Sequence, residues 1–316
     1  KNKIISLMLT NLFSKSRPIG YVVIGLMLLA TYILHLLSDL KWLQSPAVII
    51  EKTFLFVIVV LSVLLIQFIT VKNYLAVNNL YSLFLYACFL ILFPTFYDDA
   101  QLIIANLLVL LALRRIISLQ TLNEPKIKIF DASLWIFVAT LFESWTILYF
   151  VMIYLAIIWY VNQDYRNWII PLIALLTVTI LFYTYSLFYD INLVEFWTDK
   201  YDVGFNFSYF ENIYQNLALS FLATIAVLFT VYQLTNLKSI ATNQLTLYKN
   251  IVLCFVIGAA IYIITPEKSN GLLVFTFFPL SIIGGNFIAS TPIKWVKEAV
   301  LATILGISLL LFLLKL

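Results

Sequence analysis

The sequence predicts an all-α fold, a polytopic transmembrane helical bundle, on three observations. Hydrophobic residues make up 63% of the 316-residue chain and charged residues only 11%, less than half the roughly 25% of a soluble domain. The apolar residues gather in long blocks, many of them close to the ~20 residues that cross a ~30 Å hydrocarbon layer. The 26 Phe, 19 Tyr and 7 Trp carry more apolar surface than one water-soluble globule of this size can hide. Lipid is their natural solvent.

Residues 1–18 read as an N-terminal amphipathic interfacial segment. Lys1 and Lys3 precede a short, mixed apolar run with no small-residue cleavage site behind it. Residues 19–316 read as a single transmembrane domain of about eleven membrane segments. The first, Ile19 to Leu37, opens on Arg17-Pro18, where the missing proline N–H does no harm. Thr53 to Val71 is the second. Asn79 to Phe96 is the third, closed by Pro94 and Asp98-Asp99. Ala100 to Ile117 is the fourth; its end carries Arg114 and Arg115, which can snorkel to headgroups.

The next block, Ile129 to Val161, is 33 residues long, about 50 Å of helix at 1.5 Å per residue. A single crossing would carry Glu143 into hydrocarbon, at high cost. Two helices joined by a tight turn at Phe142 to Trp145 avoid this. The first is short for a full span, either a thin-spot helix or a re-entrant element. The remaining segments are Trp168–Tyr189, Ile213–Gln233, Tyr248–Thr265, Leu272–Ala289 and Trp295–Leu314.

Charge tests this count. With the N-terminus inside and eleven crossings, fourteen of the 19 Lys and Arg fall inside and five outside. Merging Ile129 to Val161 into one crossing flips every later loop and lowers the split to twelve against seven. The positive-inside rule therefore favours two passes, with a cytoplasmic N-terminus and a periplasmic C-terminus. The net charge of +4 is an orientation signal and not a nucleic-acid surface. The longest polar connection, Asp190 to Asn212, carries seven aromatics among its 23 residues and reads as an interfacial loop.

Candidates for chemistry are few. Asp39, Asp98, Asp99 and Glu143 are the candidate catalytic carboxylates, because outer-face carboxylates can bind a cation or activate an acceptor hydroxyl. His35, the single histidine, stands one turn from Asp39. Asp99 also suits an N-cap of the fourth segment. Arg114, Arg115, Lys126 and Lys128 form the densest basic cluster, a candidate lipid or phosphate contact as well as a topology signal. Gly284-Gly285-Asn286 marks a close helix contact or a broken helix. Gln67, Asn106 and Asn286 are candidates for interhelical hydrogen bonds. Cys88 and Cys254 lie in apolar blocks and read as small buried residues. No metal-ligand spacing, phosphate-binding glycine loop or nucleophile elbow is present, and one histidine excludes a multi-histidine iron or haem centre. No cofactor is indicated.

Three stretches carry a resemblance: Phe13-Ser14-Lys15-Ser16-Arg17-Pro18, Ala112-Leu113-Arg114-Arg115 with Ser118-Leu119, and Lys128-Ile129-Phe130-Asp131-Ala132 with Leu134-Trp135. With these the chain resembles an uncharacterised family of multi-span inner-membrane proteins of Bacteroidota, especially flavobacteria. The resemblance implies an envelope role and no specific activity. Three functions stay open. One is a non-catalytic subunit or scaffold of an envelope complex, with membrane lipids and other proteins as partners. Another is a transferase acting on a polyprenyl-phosphate-linked or other lipid-linked substrate. Its architecture looks like that of membrane glycosyltransferases with acidic outer loops. A third is a transporter or lipid flippase.

Overall fold

The apolar blocks become helices, and the breaks between them follow proline, glycine and charge. A computed structural model describes residues 9–38, 40, 42, 45–75, 79–200, 203–204, 213–237, 242–266 and 268–315. Among these residues thirteen α-helices follow one another: α1 (Leu9–Phe13), α2 (Pro18–Ser38), α3 (Pro46–Lys72), α4 (Tyr81–Leu92), α5 (Ala100–Ser118), α6 (Pro125–Ala139), α7 (Tyr149–Tyr160), α8 (Arg166–Phe188), α9 (Leu193–Lys200), α10 (Ile213–Asn236), α11 (Thr242–Ile264), α12 (Val274–Ser290) and α13 (Lys294–Lys315). Eight helical stretches are long and apolar enough to cross a membrane. Two shorter apolar stretches, Tyr81–Leu92 and Ser144–Tyr160, join them, and α6 lies between α5 and the second of these. The protein is a multi-pass helical membrane protein.

Contacts sort the helix ends onto two faces. On one face the Leu80 N–H donates to the Phe13 carbonyl at 2.9 Å, and Gln120 bonds Asn73 at 3.3 Å. Lys126 pairs with Asp164 there at 2.9 Å, and Glu298 at the start of α13 accepts the backbone N–H groups of Leu9 and Thr10 at 2.7 and 2.8 Å. On the opposite face His35 meets Asp98 at 2.8 Å, and the Asn270 amide donates to the Gln215 carbonyl at 3.0 Å. Lys315, at the far end of α13, lies within electrostatic reach of Asp98. The first face holds Arg115, Lys126 and Lys128, and the second holds Asp98, Asp99 and Glu143. Single cysteines at positions 297 and 315 should therefore label from opposite sides of sealed vesicles. Labelling of both from one side would mean that α13 does not cross.

The centre is filled. All twelve residues of α4 are buried, so this helix, only about 18 Å long, is surrounded by protein and does not have to match the lipid. Pro94 ends it: the residue before a proline avoids the helical region, and Phe93 sits at φ −124°, ψ 69°. Beside it runs α12, 83% of whose apolar window is buried. Gly284-Gly285 is a close helix contact, not a break, since α12 continues through it and through Pro279. A Cβ on Gly285 would collide with the Ser82 hydroxyl and stand 3.0 Å from the Ser82 backbone nitrogen.

The 33-residue block is divided as its length demands, but less tightly. The helix α6 ends at Ala139, and the Glu143 N–H closes the last turn on the Ala139 carbonyl at 3.0 Å. Glu143 is extended at φ −125°, ψ 107°. A 3-10 turn over Ser144–Leu148 follows before α7. The break thus runs from Thr140 to Leu148 and not only from Phe142 to Trp145. Thr140 and Thr146 hydroxyls donate to the Phe137 and Glu143 carbonyls at 2.7 Å each, satisfying backbone groups that a tighter turn would leave open. The rings of Phe137 and Phe150, 5.2 Å apart, pack the two arms together.

Candidate functional site

Two pieces build a polar site on the acidic face. The first joins α2 to the turn after α4. Pro94 starts a 3-10 turn over Pro94–Asp98, which brings Asp98 Oδ1 to 2.8 Å from His35 Nε2. Tyr97 packs its ring against His35 and Tyr32, at 5.8 and 5.1 Å between centroids. Burial pushes the Asp98 carboxyl up, but the His35 hydrogen bond and charge, with Lys315 and Lys52 behind them, hold it below its ordinary value. Asp99 accepts the Leu102 N–H at 3.0 Å and caps α5, as its sequence position suggested.

The second piece is the tip of the α6–α7 hairpin with α9. Burial, with the negative charge of Asp99, pushes Glu143 up to about 7, against the pull of the Trp145 backbone N–H and of Lys200. Asp99 thus links the two pieces. Lys200, the last residue of α9, donates to the Leu141 carbonyl and lies 4.3 Å from the centre of the Phe196 ring. Burial lowers the Lys200 ammonium, and Glu143 opposes that. In the described part of the aromatic loop, Phe196 and Trp197 pack on Phe182 of α8, 4.9 and 5.9 Å between centroids. Residues 201–202 and 205–212 of that loop lie outside the described residues.

Glu143 gives a pH prediction with a defined sign. Its value is raised from 4.5 to about 7, so the folded state keeps a proton that the unfolded chain has lost. This stabilisation is present below pH 4.5 and disappears as pH rises through 7, a change of about 2 kcal/mol after allowance for solvent at the site. Glu143→Gln should therefore flatten the fall in melting temperature between about pH 4.5 and 7.5. A slope identical to that of the parent protein would contradict this.

An apolar groove leads away from this tip. It encloses about 610 Å³ between α5, α6, α8 and α9, walled by Ile104, Leu134, Val138, Phe182 and Tyr185, with Gln101 and Lys200 at its polar end. A second hollow of about 420 Å³ shares Leu141, Val178 and Phe182 with it and is roofed by Leu193 and Trp197 of α9. Leu181, 62% exposed, and Tyr185, 50% exposed, leave the groove open sideways to lipid.

The basic candidates lie on the opposite face, near one another but mostly engaged. Arg115 pairs with Asp131 at 2.7 Å and Lys126 with Asp164 at 2.9 Å. Lys128 donates to the Ser118 carbonyl at 2.8 Å and the Thr121 hydroxyl at 2.7 Å. Arg114 stacks over Phe68, 4.8 Å from its centre.

A family model described as a family of unknown function, DUF6427, matches residues 8–316. The chain belongs to DUF6427. No curated protein and no solved structure matches it. Membership therefore brings no activity to this DUF6427 chain, and the residues must supply one.

Of the carboxylates expected from sequence, Asp98, Asp99 and Glu143 lie on one face with Asp99 electrostatically coupled to Glu143, and Asp39 lies outside the described residues. The pairing of His35 with Asp98, not foreseen, joins residues 63 positions apart. Lys200 was also missed as a site residue, although it is the single Lys or Arg between Asp190 and Asn212. That isolation among aromatics was a usable signal. Among the described residues no three His, Cys, Asp or Glu side chains come close enough to share a metal ion.

Proposed function

We propose that this protein is a transferase of the bacterial inner membrane, acting on a lipid-linked substrate with a phosphate headgroup. The observation that carries this reading is the lipid-open groove whose polar end is Lys200, beside Glu143. A long chain lies in the groove, and Lys200 takes the phosphate. An ammonium has three donors, and one at the Leu141 carbonyl leaves two for a ligand. Glu143, with a value near neutral pH, accepts the proton of the acceptor hydroxyl as the hydroxyl oxygen bonds the transferred group; the bond from that group to the lipid phosphate breaks, and the phosphate leaves with the electron pair, its charge held by Lys200. The His35–Asp98 pair lies on the same face, outside the groove lining. The basic face is cytoplasmic and the acidic face periplasmic on this reading, with α1 inside and the end of α13 outside.

The filled centre around α4 and α12 weighs against a transport path through the middle. It also suits a non-catalytic subunit of an envelope complex, the second reading. Lipid extraction separates the two. Protein purified in lipid-retaining polymer discs should carry a long-chain phosphate-headed lipid enriched over the bulk membrane. Bound lipid identical in composition to the bulk would leave only the subunit role.

A further inference from the structure

The basic face holds a second feature that the transferase reading does not use. Phe68, near the end of α3, is 41% exposed. Lys72 Nζ lies 5.2 Å from the centre of its ring, and the Arg114 guanidinium of α5 lies 4.8 Å from it. A ring attracts each cation, but two cations on one ring repel each other. Their neighbours do not relieve this. Asp131 is taken by Arg115 and Asp164 by Lys126, while Lys128 adds a positive charge within reach of Lys72, and a further carboxylate, Glu124, acts on Lys128. Among the described residues neither Lys72 nor Arg114 forms an ion pair with a carboxylate. The corner therefore carries an unbalanced positive charge.

Its depth says what balances it. Lys72 is the last residue of α3 and Arg114 lies four residues before the end of α5, and Tyr74, 77% exposed in the turn just beyond Lys72, is placed as an interfacial aromatic. We propose that Lys72, Arg114 and Phe68 form a binding site for the phosphate of an anionic membrane lipid. The Arg114 fork binds two phosphate oxygens, and Lys72 supplies a point charge. The exposed face of Phe68 continues the site down towards the acyl chains. This site is on the face opposite Glu143, and it stands whether or not the transferase reading does.

The test is native mass spectrometry of the full chain released from phosphatidylcholine nanodiscs containing phosphatidylglycerol. The parent protein should retain phosphatidylglycerol over phosphatidylcholine. K72Q and R114Q should each lower that retention about fivefold, the effect of one interfacial charge. K126Q, whose lysine pairs with Asp164 instead, should leave it unchanged. K72Q alters an exposed side chain, so a loss there is not a folding defect. Equal retention by the K72Q/R114Q double variant overturns the site. So does a parent protein with no preference between the two lipids. Displacement of phosphatidylglycerol by millimolar inorganic phosphate would reassign the corner to a soluble anion and overturn the lipid proposal.

Discussion

Lys200→Met is expected to weaken binding of a phosphate-headed lipid at least tenfold while leaving the fold intact. The groove itself contributes little to net affinity, because its walls are no more apolar than the bilayer a lipid would leave. The headgroup therefore decides. A charge-assisted hydrogen bond is worth about 1.5–3 kcal/mol, which is roughly ten- to a hundredfold in affinity. Methionine keeps an unbranched apolar stem over Phe196 and removes only the charge and the donors. It also removes the cation that stabilises ionised Glu143, so the Glu143 carboxyl should move further up. Val138→Trp is the complementary change. It fills the groove from the α6 wall without touching the polar end, so it should exclude the chain by bulk while Lys200 and Glu143 stay as they are. Loss of the bound lipid in both variants ties head and tail to one site. Retention in both would separate the groove from any lipid function. The comparison is made by quantifying lipid co-purified with each variant.

Gly285→Val is expected to be strongly destabilising. The new Cβ would overlap the Ser82 hydroxyl and stand 3.0 Å from the Ser82 backbone nitrogen and 3.2 Å from its Cα. A side-chain tip can rotate away, but a backbone atom moves only if its helix does. That helix is α4, buried along its whole length. Overpacking of this kind costs about 3 kcal/mol or more, enough to lower folded yield in detergent several-fold. Gly306 is the internal control. Nothing lies within 4 Å of the position its Cβ would take, and alanine is the better helix former by about 0.5–1 kcal/mol. Gly306→Ala should thus be neutral or mildly stabilising. Equal melting temperatures for the two variants would mean that α4 and α12 do not pack as described.

Much of this was legible in the residues, for reasons that differ by element. The division of Ile129 to Val161 followed from length and from distant lysines, and both act over the whole chain. The extent of that break was not legible, because it depends on Thr140 and Thr146 hydroxyls finding local carbonyls. Asp99 as a cap was visible because capping is local in sequence. The His35–Asp98 pair was not, since α-helical spacing pointed to Asp39 and only the packing of α2 beside α4 brings position 98 near. Gly284-Gly285 read equally as a contact or a break. The shape of Phe229 and Ser82 against it decides for contact. The groove was invisible, because it is made by α6, α8 and α9 together and its walls are ordinary membrane-facing residues.

The central claim is that the groove between α5, α6, α8 and α9 delivers a lipid phosphate to Lys200 and Glu143. A density map of the protein in native lipid, extracted without detergent, tests it most directly. An elongated density should lie along Leu134 and Val138, with its head within hydrogen-bond distance of Lys200 and beside Glu143. A groove filled by neighbouring side chains, or a lipid lying there with its head turned away from Lys200, would contradict it.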